Sequence, residues 1–88
     1  MAEERYNGWA NRATWNVALW LGNDEPSYRA AVAFARKASL KGIRGRLGAA
    51  SAEYFVKQCL GWDRTPDGVG LSPVRWGEIA NCIREMAE

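Results

Sequence analysis

Eighty-eight residues carrying a net charge of +2, with 48% hydrophobic and 11% aromatic content, suffice for one compact domain and are too apolar for a disordered chain. The complete absence of histidine excludes a histidine general base, any Ser-His-Asp or Cys-His arrangement and any histidine-ligated metal. No run approaches the ~20 apolar residues of a membrane span, and the polar start Met1–Arg5 is unlike a signal peptide, so a cytoplasmic protein is expected.

Residues 1–10 read as an extended lead-in in which Asn7-Gly8 has the chemistry of a turn with positive φ. Asn11 is a good N-cap for a first helix over about 12–22, closed by Gly22 and Asn23. Trp15, Val17, Ala18, Leu19, Trp20 and Leu21 make that helix apolar nearly all round, the pattern of a central, buried helix. Asn23 or Asp24 caps a second helix over about 25–41, with Glu25 and Pro26 suited to its first turn. Tyr28, Ala31, Val32, Ala35 and Ala38 fall at helical spacing and are its expected core face. Lysines in the last turn and Gly42 end it.

The glycine- and arginine-rich stretch 42–50 reads as a linker. A third helix is expected over about 49–60, lined by Ala52, Phe55, Val56 and Cys59 and ended by Gly61. Thr65-Pro66-Asp67-Gly68 is the clearest turn signal in the chain. Ser72 and Pro73 read as the cap and first position of a fourth helix over about 73–87, with a start near Arg75 after an extended Val74 as the alternative. Its stripe is Trp76, Ile79, Ala80, Ile83 and Met86 or Ala87. The fold class is therefore all-α: residues 1–88 as a single helical domain, a small bundle of about four short helices.

Chains of this length bury only about 60–65% of their unfolded surface. The five tryptophans offset this, since an aromatic side chain buries about 150–250 Å². Trp15, Trp20 and Trp76 sit at helical spacing and read as core; Trp9 and Trp62 sit in loop or cap positions, where tryptophan is a frequent anchor for a partner. Cys59 and Cys82 read as free, buried small hydrophobes.

Charge is unevenly distributed. Residues 26–60 carry seven basic side chains and one acidic one, while 1–25 and 61–88 each carry an excess of two acidic ones. Arg36, Lys37, Lys41, Arg44 and Arg46 form the densest part of this basic segment, and arginine suits both phosphate and carboxylate because its planar fork binds either bidentately. The plainer reading of Arg36, Lys37 and Lys41 is a set of cations that complement the dipole at a helix C-terminus. Asp63 and Asp67 share a loop without a calcium-loop pattern, and Glu78 and Glu85 read as solvent-facing. No catalytic, cofactor-binding or metal-binding set emerges, so a non-enzymatic binding protein without cofactors is expected.

Asn7-Gly8-Trp9 and Thr14-Trp15-Asn16-Val17-Ala18-Leu19-Trp20-Leu21, followed by Asn23-Asp24-Glu25, resemble the opening of a group of short uncharacterised proteins common in phages and other mobile elements. That group begins Gly-Trp and continues Asn-Tyr-Glu-Thr-Trp-Asn-Val-Ala-Leu-Trp. The likeness returns weakly at Trp76, Glu78, Ile79 and Ala80; Arg12, Ala13 and Arg75 depart from the group's tyrosine, glutamate and acidic cap. The resemblance implies a phage or mobile-element context, in which small non-enzymatic proteins are often inhibitors of host defence, anti-CRISPR proteins foremost. The resulting expectation is a stoichiometric inhibitor of a host defence complex. It would bind through Arg36, Lys37, Lys41, Arg44 and Arg46, with Trp9 or Trp62 as anchor. The alternative is a small nucleic-acid-binding accessory or regulatory protein, whose affinity would fall steeply with salt.

Overall fold

The computed structural model describes residues 8–40 and 47–87, with the side chains of 38–40 left aside. It is all-α: helix α1 spans Arg12–Asn23, α2 Glu25–Leu40, α3 Ala49–Tyr54 and α4 Trp76–Met86. Five residues of π-helix, Phe55–Cys59, continue α3. Arg64 and Gly70 form an isolated antiparallel bridge.

Polar side chains set where α1 begins and ends. The Asn11 carboxamide oxygen accepts from the Thr14 backbone N–H at 2.9 Å, a side-chain N-cap. The helix runs through Gly22 and Asn23, one residue further than the sequence pattern predicts, and stops at Asp24, whose backbone is extended (φ −93°, ψ 110°). The same Asp24 caps α2, accepting from the Ser27 hydroxyl at 2.7 Å and the Ser27 N–H at 3.3 Å. One residue thus ends one helix and opens the next, which forces a tight corner.

The α2 core face is rotated from the expected one. Ser27, Ala31 and Ala35 are buried, Phe34 is half-buried, and Tyr28 and Val32 turn towards the flank. The reason is local: the Ser27 hydroxyl is satisfied by Asp24, so a polar residue can take the buried position that its type argues against. Small Ala31 and Ala35 leave room for large neighbours, and the Phe34 ring packs on Phe55 with centroids 4.9 Å apart.

The third helix is likewise altered from the expected uniform one. Leu60 N–H donates to Phe55 O at 2.9 Å, an i→i+5 bond. The wider turn keeps Phe55 and Val56 in the core but carries Cys59 off the apolar stripe, so Cys59 is exposed and Cys82 half-buried, and both are free. Gly61 ends the element with φ +73°, a conformation that side chains resist.

Residues 61–75 are shaped by turns. Thr65-Pro66-Asp67-Gly68 closes with Gly68 N–H on Thr65 O at 2.8 Å, Thr65 N–H on Val69 O at 2.9 Å and Gly68 at φ +87°. This is a three-residue hairpin loop with glycine at its left-handed position. Ser72 and Pro73 lie in a second turn, with Val74 N–H on Leu71 O at 3.1 Å and both Leu71 and Val74 buried. Ser72 therefore caps nothing, and α4 begins at Trp76 after an extended Arg75 (φ −90°, ψ 94°), the later of the two starts the sequence allows.

Among the described residues fifteen buried apolar ones form one core cluster, with Val17, Leu21, Phe55, Val56, Ile79 and Ile83 among its largest fully buried members. Among the described residues α4 packs against each of the other helices, whereas α1 packs chiefly against α2 and α4. Ile79, Ala80 and Ile83 supply the continuous stripe that makes this possible. The flank of α1 bearing Trp15, Leu19 and Trp20 is only half-buried, and Trp76 is half-buried too.

Candidate functional site

The Thr-Trp-Asn-Val-Ala-Leu-Trp segment is committed to the fold on both its polar and its apolar sides. Asn16 Nδ2 and Trp20 Nε1, one helical turn apart on α1, each donate to the same oxygen of Asp67 at 3.0 Å. These two hydrogen bonds, with a smaller contribution from the nearby Arg12 guanidinium, hold the Asp67 carboxyl below its usual range. Asp67 is thus a latch between α1 and the hairpin loop rather than an idle loop carboxylate. Thr14, fully buried, accepts from Arg75 N–H at 2.9 Å and donates to Asn11 Oδ1 at 2.7 Å, while Asn11 Nδ2 donates to Pro73 O at 2.8 Å. Asn11 and the α1 residues Thr14, Asn16 and Trp20 therefore fix the 61–75 connection at three points, Asp67, Pro73 and Arg75. The Asn16 Oδ1 atom is buried without a hydrogen-bond partner.

The basic side chains divide into committed and uncommitted ones. Arg29 pairs with Glu25 and Lys57 with Glu53, each one turn along its own helix. Arg84 donates to the Leu47 carbonyl and to Asn81 Oδ1. Arg36 and Lys37 are exposed on α2, and among the described residues no carboxylate pairs with either. Lys41, Arg44 and Arg46, which the sequence groups with them, lie outside the described residues.

The two tryptophans expected as anchors are both half-buried against the core. The Trp62 backbone N–H donates to Val56 O at 3.1 Å, which seats the residue beside the π-helical turn. Trp9 lines a shallow depression of about 310 Å³ with Gly8, Glu78, Asn81, Cys82 and Glu85. Glu78 is half-buried there, not solvent-facing as its position suggested, because its Oε1 accepts from Ala10 N–H at 3.1 Å. Burial and the neighbouring Glu85 push the Cys82 thiol up. Among the described residues, no group of three or more cysteine, aspartate or glutamate side chains could hold a metal ion. Among them, too, no helix is long and apolar enough to cross a membrane.

Sequence reasoning missed the outward turn of Tyr28 and Val32. The signal was present: Ser27, Ala31 and Ala35 share the i, i+4, i+8 spacing, but a serine at the head of the stripe disguises it. Tyr28 and Tyr54 are the large hydrophobic residues left exposed, at 39% and 56%. Glu25, Arg29, Ala33, Arg36 and Lys37 lie on the outward side of α2, with Tyr28 and Val32 along one flank.

No curated protein and no solved structure matches the chain. A family model does, over residues 2–88, and the chain belongs to that family, a family of unknown function (DUF7249).

Proposed function

We propose that this protein is a non-catalytic inhibitor, encoded by a phage or mobile element, that acts by stoichiometric binding to a host defence complex of the CRISPR type through a basic surface on α2. The observation that carries the reading is the pair Arg36 and Lys37, adjacent, exposed and unmatched by any carboxylate among the described residues. Charges of this kind add little to the stability of the free chain, whereas on binding they steer an acidic partner and fix its register. The Thr14 hydroxyl and the side-chain N–H groups of Asn16 and Trp20 are engaged within the chain, which supports α2 rather than the tryptophan-rich segment as the partner surface.

The test is an affinity pulldown of the tagged chain from host lysate carrying CRISPR and restriction systems, with nuclease-treated and untreated halves compared. One defence complex in stoichiometric amount in both halves is the expected result. Heterogeneous, nuclease-sensitive material alone would replace this reading with that of a nucleic-acid-binding accessory protein.

A further inference from the structure

Proceeding from the proposed binding function, we infer that the flank of α2 bearing Tyr28, Val32 and Arg36 is a protein-docking surface, and that its partner presents carboxylates beside an apolar spot. At about 100° per residue, positions 28, 32, 33, 29 and 36 occupy one continuous arc of the helix away from the buried Ser27, Ala31 and Ala35. Tyr28 is 39% exposed and Val32 is half-buried one turn further on, so an aromatic and an aliphatic residue lie together at the surface, with exposed Ala33 at the far edge of the arc. Arg36, one turn beyond Val32, and Arg29 border them on the solvent side, with Lys37 further round the helix. Apolar side chains bordered by charged ones are common at protein interfaces, where tyrosine and arginine are frequent anchors.

The same face argues against a nucleic-acid backbone as occupant. A phosphate track favours uninterrupted cations, but here Glu25 lies on the face and neutralises Arg29 through their ion pair. An acidic side chain at that place repels phosphate and tolerates a polypeptide, whose own cations can face it. Among the described residues of the face, the cations left over, Arg36 and Lys37, then complement carboxylates on such a polypeptide. Tyr28 thereby replaces Trp9 and Trp62 as the anchor, since both tryptophans are packed into the core's edge.

The experiment places a benzophenone photo-crosslinking amino acid at position 28, and separately at exposed position 50 on α3, in chains expressed in host cells carrying CRISPR and restriction systems. The expected result is one dominant protein adduct from position 28 and none from position 50. Mass spectrometry should place the crosslink in a segment of the partner rich in aspartate and glutamate. The double variant Arg36→Glu, Lys37→Glu, shown to be folded by circular dichroism, should lower that adduct at least ~10-fold. A protein adduct from position 50 but not from 28 would remove α2 as the docking face and leave the binding function standing. An adduct untouched by charge reversal, or crosslinks from position 28 to nucleic acid alone, would overturn the assigned partner chemistry. No adduct from either position would overturn the docking face, and the pulldown from the same cells decides the proposed function separately.

Discussion

Replacing Thr14 by valine keeps nearly the same shape and removes one hydroxyl, which makes it the sharpest test of how the motif helix organises the chain. That hydroxyl accepts from Arg75 N–H at 2.9 Å and donates to Asn11 Oδ1 at 2.7 Å, and the residue is fully buried. Asn11 Oδ1 keeps its other donor, the Thr14 N–H at 2.9 Å, so its loss is the smaller one. Arg75 N–H is left without a partner in a part-buried site, and an orphaned donor of this kind costs about 1–3 kcal/mol. Valine should therefore destabilise the domain by about 2 kcal/mol, a large share of a stability near ~5 kcal/mol. For a domain of this size the melting temperature should fall by about 8–16 °C. Serine at the same place keeps the hydroxyl and loses a methyl group, a cost of about 1 kcal/mol. Urea unfolding followed by tryptophan fluorescence measures both variants. A valine variant as stable as the serine variant, or more so, would refute the assignment of the 61–75 connection to this hydroxyl.

Phe55→Ala empties a fully buried site against which Phe34 packs, and a loss of about 3–5 kcal/mol should leave little or no cooperative unfolding transition by calorimetry. Asp67 has a folded-state carboxyl value below the ordinary 3.8, so its contribution to stability is complete above that value and disappears as pH falls through the lower folded one. Asp67→Asn should accordingly flatten the acid limb of the stability–pH curve, read as urea midpoints across about pH 5 to pH 2; an unchanged limb would mean that the Asn16 and Trp20 donors do not favour the ionised form. Cys59 is exposed and Cys82 is half-buried with its thiol pushed up, so a thiol reagent at neutral pH should label one cysteine per chain rapidly and the other slowly, with Cys59→Ser removing the fast phase.

The α2 face shows how far each source of information reaches. Arg36 and Lys37 are legible from sequence as a charge excess, because charged side chains at the end of an amphipathic helix have nowhere to go but outward. Tyr28 was not legible as a surface residue, since its spacing from Ala31, Val32 and Ala35 fits a helical core as well as the true set does. Choosing between the two sets required knowing that Asp24 satisfies Ser27, a contact set by the corner between α1 and α2.

Local chemistry in the sequence determined the helical class, the Asn11 cap, the turn at Thr65-Pro66-Asp67-Gly68 and the α4 stripe of Ile79, Ala80 and Ile83, because each rests on neighbours within about one helical turn or one loop. Only the tertiary structure decided that α4 packs against every other helix, that α4 begins at Trp76, that Cys59 faces solvent, and that Asn16 and Trp20 hold Asp67 some fifty residues away. Those outcomes depend on which polar atoms find partners across the chain. Hydrophobic periodicity records where apolar side chains lie and carries no information about such long-range pairing.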